Sequence, residues 1–295
     1  MGEKMKGIIL AGGHGSRLYP LTKTISKHLL PIYDKPLIYY PLSTLMLAGI
    51  KDILIISDKE NLPNYKKLLN DGNALGIKLS YAIQEKPRGI AEAFIIGEEF
   101  LNKSKCALIL GDNIFYGNEL KSILSRAKKF KCGSFIFLYP VENSENFGVA
   151  NINKKNKIVS IVEKPLKPRS NFAITGLYFY DSQVSNIAKK IKPSKRGELE
   201  ISSINQYYLK KNKLEHDVFG RGIAWLDTGT FDSLIDAGQF VRTIERRQGF
   251  KISCPEEISY RNGWLNKNEF KKLANKIKNK NYKNYLLGLL KNEFI

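Results

Sequence analysis

Residues 6–31 read KGIILAGGHGSRLYPLTKTISKHLLP, and the order of residue types in this segment indicates the architecture of the chain. An apolar run typical of a buried strand passes directly into the glycines at positions 12, 13 and 15. Arg17 follows closely, and Lys27 comes ten residues later. Glycines allow a tight turn and let ligand oxygens approach backbone N–H groups. The segment therefore predicts a strand that ends in a phosphate-binding loop with two cations behind it.

The loop matches neither of two common phosphate-binding signatures. The dinucleotide fingerprint would need a third glycine where Leu18 stands, and no Gly-Lys-Ser/Thr follows, as a P-loop requires. A strand-to-helix turn that needs small residues would account for Gly12 and Gly13 alone. It would not account for the cations placed after them. We therefore expect this loop to serve a different phosphate reaction.

Outward from this loop, short apolar strands alternate with amphipathic helices, the pattern of buried parallel strands joined by helical crossovers. It predicts an α/β fold with a Rossmann-like, mixed, mostly parallel sheet flanked by helices. The predicted strands are Gly7–Ala11, Asp52–Ser57, Lys78–Ile83, Cys106–Leu110 and Ser134–Tyr139. The predicted helices are Pro41–Ala48, Asn64–Asn70, Ile90–Leu101 and Glu119–Phe130.

The pattern changes after Gly148. Residues 148–165 predict a hairpin with its turn in the polar NKKNK segment, and residues 174–181 predict another strand. Apolar spacing predicts a long helix over 230–249 that ends at Gly249. Two more helices are predicted at Phe270–Ile277 and Tyr285–Leu290. We divide the chain into an α/β domain, 1–248, and a helical C-terminal extension, 249–295.

The composition is that of an ordinary globular protein, with 295 residues, 43% hydrophobic and 26% charged. No apolar run reaches the ~20 residues that span a bilayer, so we expect no membrane partner. The first strand begins almost at once, which leaves no room for a secretory leader. Cys106, Cys132 and Cys254 are odd in number and lack metal-ligand spacing, so they predict reduced thiols and a cytoplasmic location.

The formal net charge of +20 is compatible with nucleic-acid binding or with an anionic small substrate. The lysines are spread along the chain, however. The densest basic stretch, KKLANKIKNKNYKN at 271–284, has helix-like spacing and lacks a pattern of interleaved Gly, Arg and aromatic residues. It is typical of a solvated basic face, and we expect no nucleic-acid partner.

Two aspartates follow apolar strands. Asp112 comes after CALIL, and Asp227 comes after Ala224-Trp225-Leu226. Open α/β sheets bind ligands beyond the carboxyl ends of their strands, so the two carboxylates could share one Mg²⁺, which prefers hard oxygen ligands. Each has an alternative role as a helix cap, although Thr228 or Thr230 could cap the helix after Asp227.

A Glu-Lys pair precedes a proline in IVEKP. Glu163 could accept hydrogen bonds from sugar hydroxyls while Lys164 binds a phosphate, but neighbouring Glu and Lys more often form a surface ion pair. The three histidines are far apart in the sequence and suggest neither a metal site nor a triad. No Ser or Cys lies in a nucleophile-elbow pattern, so the sequence does not indicate covalent catalysis.

Five segments together resemble the glucose-1-phosphate thymidylyltransferases, which are sugar nucleotidyltransferases. The similarity runs from Lys6 to beyond Arg261, in the order and spacing of that family. The segments are residues 6–50, LGDNIFYG at 110–117, EKPLKPRSNFAITGLYFYD at 163–181, RGELEISSIN at 196–205 and GRGIAWLDTGTFDSLIDAGQFV at 220–241.

The resemblance implies that a sugar 1-phosphate oxygen attacks the α-phosphorus of dTTP, giving dTDP-glucose and pyrophosphate, as the first step towards dTDP-rhamnose or another dTDP-deoxysugar. For this reaction the glycine loop must bind a triphosphate whose outer two phosphates leave together as pyrophosphate. Two alternatives remain open. One is a uridylyl- or guanylyltransferase for another sugar phosphate. The other is a silent nucleotide-binding regulator, whose mark would be the loss of Arg17, Lys27, Asp112 or Asp227; all four are present.

The resemblance also implies roles for individual residues. The expected catalytic residues are Arg17, Lys27, Asp112, Lys164 and Asp227, with Asp112 and Asp227 holding Mg²⁺. Gln84 and Gly89 would recognise thymine. The expected nucleotide-binding residues are Leu10, Ala11, Gly12, Gly13, Gly15, Ser16, Arg17, Lys27, Gln84, Gly89 and Asp112. The expected sugar-binding residues are Asn113, Gly148, Glu163, Lys164, Ile174, Tyr178 and Trp225.

The family pattern also includes a second nucleotide site at a subunit interface, through which a dTDP-sugar inhibits, and a homotetramer. We therefore expect 249–295 to contribute a subunit contact or regulatory region. The matching residues are Tyr116, Gly117, Gly220, Arg221, Glu256, Glu257 and Arg261. The chain departs from the pattern at His14, where Ser is commoner, at Arg88 and Glu92, where Asp and Gln are commoner, and at Ser203, where the Asp of GELEITDIN is missing.

Overall fold

A mixed nine-stranded sheet forms the centre of the computed structural model, which describes residues 4–13 and 15–291. His14 lies outside the described residues. The strands are β1 Lys6–Leu10, β2 Pro31–Ile32, β3 Lys35–Pro36, β4 Asp52–Ser57, β5 Lys78–Ile83, β6 Cys106–Leu110, β7 Asn113–Gly117, β8 Ser134–Pro140, β9 Gly148–Ile152, β10 Ile158–Glu163, β11 Phe172–Tyr180, β12 Leu214–Val218 and β13 Ile223–Asp227. The helices are α1 Tyr39–Leu47, α2 Leu62–Leu69, α3 Glu92–Ile96, α4 Glu98–Leu101, α5 Leu120–Ala127, α6 Val184–Ala188, α7 Ile201–Lys210, α8 Phe231–Gln248, α9 Pro255–Arg261, α10 Lys267–Lys276 and α11 Lys280–Leu289.

The main sheet has the strand order β10-β9-β11-β6-β1-β4-β5, with β8 pairing with β11 and β12. Its adjacent strands β6, β1, β4 and β5 are parallel, whereas β11 runs antiparallel to β6. Because these four strands run in one direction, their carboxyl ends meet at one edge, where a ligand site is expected. The predicted fold class is confirmed, and the five predicted strands of the first half are present.

Alternating side chains place one core on each face of the sheet, as the pleat of a strand requires. In β1, Ile9 joins a core that includes α1, and its neighbour Ile8 joins a second core that includes α3 and α7. Both side chains are fully buried. The apolar runs that predicted the strands are therefore explained by burial on both faces.

Strand β13 does not belong to the main sheet. It pairs antiparallel with β7 as a separate two-stranded ribbon, in a register that sets Asp227 opposite Asn113. Because β7 begins directly after the Gly111-Asp112 turn, this ribbon brings the end of β13 back to the end of β6. The ribbon, rather than the parallel sheet, thus carries Asp227 to the ligand edge.

The predicted helix over 90–101 is instead two short helices, α3 and α4, separated at Gly97. Gly97 lies against β1, where an added Cβ would come within 3.1 Å of Ile8 Cδ1. Glycine permits this close packing, and its low helix propensity favours an interruption there. The short elements that the sequence did not indicate include β2, β3, β7, β12, α7 and α9.

Helix α8 confirms the prediction for 230–249. Thr230 and Ser233 form a capping box at its start, and Gly249 ends it in the left-handed conformation, with φ 75°. Beyond it the sequence predicts two helices, and the described residues contain three, α9, α10 and α11. These three helices share a small apolar cluster around Phe270 and Leu286. No helix in the described part of the chain is both long and apolar enough to traverse a bilayer.

A buried charge cluster joins the end of α8 to the hairpin of β2 and β3. Glu245 contacts both Lys35 at 3.1 Å and Lys251 at 2.7 Å, and it accepts the backbone N–H of Ile252 at 2.9 Å. Asp34 also pairs with both lysines. The side chains of Lys35 and Glu245 are only 3% and 4% exposed, so their charges depend on each other.

We expect Glu245→Ala to lower the free energy of unfolding by about 3 kcal/mol, because it leaves a buried excess of positive charge and an unpaired N–H. Urea titration followed by circular dichroism measures the change. Glu142→Ala, at an exposed position, is the control and should change it by less than about 0.5 kcal/mol. A loss below about 1 kcal/mol for Glu245→Ala would mean that Asp34 alone satisfies both lysines.

Candidate active site

A cavity of about 230 Å³ opens at the carboxyl ends of the parallel strands, between β6, the β7–β13 ribbon and the β9–β10 hairpin. Four of the five expected catalytic residues line it, and Lys27 contacts one of them. All seven expected sugar-binding residues also line it. The predicted members of the lining are Arg17, Asp112, Asn113, Gly148, Glu163, Lys164, Ile174, Tyr178, Trp225 and Asp227.

Asp112 is held by several groups at the end of β6. It pairs with Lys27 and accepts a hydrogen bond from Asn113 Nδ2 at 2.9 Å. Burial raises the pKa of Asp112, but the Lys27 ammonium and the hydrogen bonds from Lys27 and Asn113 together hold that pKa well below its usual range. Strand β7 follows Asp112, so no helix begins there. The helix-cap alternative is therefore excluded, and Asp112 is a fixed carboxylate facing the cavity.

Asp227 has the opposite electrostatic character. Burial, and then the negative charge of Asp112, raise the pKa of Asp227 to about 6, while Lys27, Arg17 and Lys164 partly offset both effects. Its alternative role as a helix cap is filled by Thr230. Two carboxylates that repel each other in one cavity form a natural place for a cation.

A buried hydrogen-bond network involves the residues on either side of Lys27. Ser26 Oγ lies 3.1 Å from His28 Nδ1 and 2.8 Å from the hydroxyl of Tyr65. Burial, and then the charge of Lys27, lower the pKa of His28 to about 3, so its ring is neutral at physiological pH. The network therefore fixes the turn that carries Lys27 without adding a second charge.

The glycine loop brings Arg17 to the cavity. Gly15 takes the left-handed conformation, with φ 57°, and its carbonyl accepts a hydrogen bond from Thr22 Oγ1 at 2.9 Å. Ser16 and Arg17 then begin a short 3₁₀ turn. The Arg17 guanidinium lies next to Gly229, where an added Cβ would be 3.2 Å from its Nη2. The side chain of Arg17 thus reaches across to the segment after Asp227.

The other expected nucleotide-binding residues are not among those that line this cavity; they lie at the end of β1, in the glycine loop and in the segment after β5. Leu10 ends β1, and Ala11 donates its N–H to Ile56 O at 2.8 Å, which continues the sheet by one residue. An added Cβ at Gly12 would come within 2.5 Å of Gln84 Oε1, so the loop and Gln84 touch. Gly13 has φ 104°, and no described atom lies near its Cβ position, which leaves its backbone open to a ligand.

Gly89 packs against the chain that precedes α7. Its φ is 111°, and an added Cβ would come within 2.5 Å of the Leu199 carbonyl oxygen. Leu199 also binds the neighbouring backbone, since it donates to Arg88 O at 2.7 Å and accepts from Ala91 N at 3.0 Å. Only glycine fits this close crossing.

Glu163 is the last residue of β10, Lys164 follows it, and both line the cavity. Lys164 has φ 40°, which is uncommon for a residue with a side chain, and it donates its N–H to Phe147 O at 3.0 Å. Such conformations cluster at functional sites. Glu163 Oε1 lies 4.0 Å from Arg196, and its other carboxylate oxygen is close to Gly148. The side chains of Glu163 and Lys164 both line the cavity.

Asn113 and Trp225 line the cavity but already bind protein groups. Asn113 Oδ1 accepts from Trp225 Nε1 at 2.6 Å and from Gly176 N at 3.1 Å. Gly176 lies where the register of β11 shifts between Ile174 and Tyr178. The amide of Asn113 therefore ties the ribbon to β11 and orients Asp112, in addition to any contact with a sugar.

The sequence did not single out Arg196, Glu198 and Glu200, which also line the cavity. Arg196 Nη2 lies 2.9 Å from Glu198, and Nη1 lies 3.4 Å from Glu200. The signal was present in KRGELE, a compact group of opposite charges just before α7. Burial raises the pKa of Glu163, and the charge of Glu200 adds to this, whereas the Ser202 hydrogen bond and the charges of Lys164 and Arg196 offset only part of the rise.

The expected regulatory residues do not all lie together. A second cavity of about 230 Å³ is lined by Tyr116, Gly117, Glu257 and Arg261. Gly220 and Arg221 lie in the turn before β13, whose Ile223 is paired with Gly117. Glu256 instead is buried on another side of α9, where it accepts a hydrogen bond from the Tyr282 hydroxyl at 2.9 Å.

Comparison with known proteins identifies the family to which this chain belongs. Residues 6–244 match the nucleotidyl transferase family. The chain is 53% identical over 287 residues to a glucose-1-phosphate thymidylyltransferase of Neisseria meningitidis serogroup A, covering 97% of this chain and 100% of the relative. It is 51% identical over 286 residues to one of Mycobacterium tuberculosis, covering 97% and 99%.

Two solved structures are also similar. One, described as a glucose-1-phosphate thymidylyltransferase from Bacillus anthracis with a sucrose, has a TM-score of 0.75 and 43% identity, covering 81% of this chain and 95% of that one. The other, a UDP-glucose pyrophosphorylase with UDP-glucose, has a TM-score of 0.72 and 27% identity, covering 81% and 99%.

Proposed function

We propose, on the premise that this chain belongs to the nucleotidyl transferase family, that it is a glucose-1-phosphate thymidylyltransferase, which converts dTTP and α-D-glucose 1-phosphate to dTDP-glucose and pyrophosphate. The observation that carries the proposal is the convergence of Asp112, Asp227, Arg17 and Lys164 on one cavity from four separate segments. Phosphoryl-type transfer needs positioning and charge stabilisation rather than a protein nucleophile. The side chains that line the cavity can supply both positioning and charge stabilisation.

In the proposed step, a phosphate oxygen of the sugar 1-phosphate forms a bond to the α-phosphorus while the bond from that phosphorus to the bridging oxygen of pyrophosphate breaks. Arg17 and Lys27 would hold the outer phosphates and stabilise the charge that develops on them. Lys164 would position the sugar phosphate, and Glu163 would accept hydrogen bonds from the sugar hydroxyls. Holding both substrates in line would contribute to the acceleration by placing the reacting atoms in attack geometry.

Enzymes of this family generally use a divalent metal ion, and we propose Mg²⁺, held by Asp112 and Asp227. The donor set fits, because both are hard carboxylate oxygens in one cavity and Asp112 raises the pKa of Asp227. Among the described residues, no group of three or more His, Cys, Asp or Glu could hold a metal. The remaining ligands would then be water and substrate phosphate. Mg²⁺ would supply charge neutralisation at the reacting phosphates.

The test of the proposed function is pyrophosphate release by the purified protein with Mg²⁺, glucose 1-phosphate and each nucleoside triphosphate in turn. Release with dTTP is the expected result. Release with another base alone would keep the reaction type and overturn the choice of nucleotide. No release with any triphosphate, from folded protein, would contradict the proposal and favour another sugar phosphate or a silent regulator.

UTP is the second candidate nucleotide, because the fold also matches a UDP-glucose pyrophosphorylase. Thymine and uracil differ by one methyl group, and burying it is worth only ~1 kcal/mol. The same assay ranks dTTP against UTP. A preference above about 10-fold would exceed what that methyl group supplies and would require a further contact.

Binding of Mg²⁺ to the free protein should weaken as the pH falls below the pKa of about 6 of Asp227. Protonation removes one of the two carboxylates, so the dissociation constant should rise by up to about tenfold for each pH unit below 6 and stay nearly constant above 7. Calorimetry measures the dissociation constant of Mg²⁺ at each pH. Nucleotide is left out because the phosphates of dTTP titrate in the same pH range as Asp227. Equal dissociation constants at pH 5 and pH 7 would contradict the prediction.

We also propose feedback inhibition by a dTDP-sugar at the second cavity. Its support is the grouping of Tyr116, Gly117, Glu257 and Arg261, with a Glu257–Arg261 ion pair of 2.6 Å at its rim. Saturating dTDP-rhamnose should lower the initial rate at least about fivefold, and Arg261→Ala should relieve the inhibition. Initial rates that do not change with dTDP-rhamnose would refute this proposal.

The remaining proposals follow from the same assignment. We propose a homotetramer in which 249–295 contributes to subunit contact or regulation, and a product used for dTDP-rhamnose or another dTDP-deoxysugar. We also propose a cytoplasmic location, with which the absence of a disulfide at Cys106, Cys132 and Cys254 is compatible. Sedimentation of the purified protein measures the oligomeric state.

A further inference from the structure

Thr22 lies in a second short 3₁₀ turn, Leu21–Lys23, which follows the glycine loop and the first turn, Ser16–Leu18. Its hydroxyl donates to the carbonyl oxygen of Gly15 at 2.9 Å, and the backbone N–H of Leu18 donates to the same oxygen at 2.8 Å. Two donors within the protein therefore hold this carbonyl. The resemblance to the sugar nucleotidyltransferases assigned no role to Thr22.

The direction of the Gly15 carbonyl also determines the direction of the Ser16 N–H. The peptide bond between Gly15 and Ser16 is trans, so its C=O and N–H groups point in opposite directions. Since the carbonyl oxygen is directed to Thr22 and Leu18, the Ser16 N–H is directed away from them. No hydrogen bond joins this N–H to any residue of 4–13 or 15–291. The Ser16 N–H is therefore available to a ligand oxygen.

Gly15 would otherwise allow this peptide to turn over. Its φ of 57° and ψ of 32° are left-handed, and glycine adopts positive and negative φ about equally well. In a turned peptide, the carbonyl oxygen with its negative partial charge would face a bound phosphate in place of the N–H. The hydrogen bond from Thr22 opposes this change.

The same glycine lies beside both cations of the loop. An added Cβ at Gly15 would be 2.8 Å from Thr22 Cγ2 and 3.6 Å from Lys27 Cβ, so Gly15 fits between these two side chains. Arg17 follows Gly15 by two residues and lines the cavity. The orientation of the Gly15 peptide is thus fixed at the place where the two expected phosphate-binding cations meet the loop.

We propose that Thr22 is a positioning residue, whose hydroxyl holds the Gly15 carbonyl so that the Ser16 N–H faces the triphosphate. This rests on the proposed function only in taking a chain of phosphates as the ligand of the loop. Because the hydrogen bond is present before the ligand binds, it lowers the cost of ordering the loop on binding. Its effect should be the same for any ligand with that phosphate chain, with or without a base.

The test measures the dissociation constant of inorganic tripolyphosphate by calorimetry in the presence of Mg²⁺. This probe carries three phosphates and no base or sugar. Thr22→Val keeps the shape of the side chain and removes its hydroxyl, and it should raise the dissociation constant at least about 10-fold. Thr22→Ser keeps the hydroxyl and removes the methyl group, and it should bind the probe as the native protein does.

Thr44→Val is the matched control for stability. Thr44 on α1 donates its hydroxyl to Tyr40 O at 3.0 Å, so this substitution removes the same kind of hydrogen bond away from the loop. Thr44 is buried and Thr22 is half-buried. Thr44→Val should therefore lower the Tm at least as much as Thr22→Val and leave the dissociation constant of tripolyphosphate unchanged.

A dissociation constant in folded Thr22→Val equal to the native value overturns the proposal. A Thr22→Ser protein that binds as weakly as Thr22→Val also overturns it, because the methyl group would then be responsible. If Thr22→Val does not fold, nuclear magnetic resonance of the native protein decides. The amide signal of Ser16 should shift when tripolyphosphate is added, and an unchanged signal overturns the proposal.

The proposed function fails separately from this inference. A protein in which Thr22→Val weakens tripolyphosphate binding, but which releases no pyrophosphate with any nucleoside triphosphate, overturns the proposed function and leaves this inference standing. Release of pyrophosphate by a native protein whose tripolyphosphate binding does not depend on Thr22 has the reverse meaning.

Discussion

Asp112→Asn should reduce pyrophosphate release by about 10³-fold or more while the protein remains folded. The substitution keeps the size of the side chain but removes the charge that pairs with Lys27 and that would bind the metal. Losing one preorganised charge at a reacting centre costs about 10²–10³ in kcat, and here the loss also weakens metal binding. We therefore place this effect at the upper end of that range or beyond it.

The measurement is the initial rate of pyrophosphate release at saturating Mg²⁺, with circular dichroism to monitor folding. Asp236→Asn is the matched control, because Asp236 is exposed on α8 and its substitution makes the same chemical change. Its rate should equal that of the native protein. If Asp112→Asn keeps more than about a tenth of the native rate, Asp112 is not a ligand of the essential metal.

Arg17→Gln should lower kcat by about 10²-fold, with a smaller effect on the KM for dTTP. The guanidinium faces the cavity near Asp227 and Gly229, and it makes no ion pair with the described residues. It is therefore available for the departing pyrophosphate, on which charge grows mainly as the bond breaks. When an interaction that strengthens in the transition state is removed, kcat falls and KM changes little.

Steady-state kinetics with dTTP as the varied substrate separates the two parameters. Arg242→Gln removes an exposed guanidinium from α8 and serves as the control for net charge. A rise in KM with kcat unchanged would show that Arg17 binds dTTP equally in the ground and transition states.

The parts of the fold that the sequence predicted well are those set by local chemistry. The apolar run before Gly12 and the capping residues around α8 specify their elements within a few positions. The position of Asp112 at the ligand edge follows from the direction of a parallel strand alone. These predictions need no knowledge of distant contacts.

The parts that the sequence did not predict depend on contacts between distant segments. The pairing of β13 with β7 and the packing of Leu199 on Gly89 join residues that local patterns cannot relate. Glu256 is a further case, because consecutive residues of α9 point in different directions, so that Glu257 lines the second cavity and its neighbour Glu256 does not. Residue type predicted the chemistry, and tertiary packing determined which side chains could take part.

The β7–β13 ribbon also has a consequence for the order in which the protein is made. Asp227 leaves the ribosome more than a hundred residues after Asp112. At ~5–20 residues per second, the delay is on the order of ten seconds. During that interval a nascent chain can pair β1, β4, β5 and β6 and form the loop, but it lacks the second carboxylate. Prematurely terminated chains that stop before β13 would therefore lack one of the two proposed metal ligands.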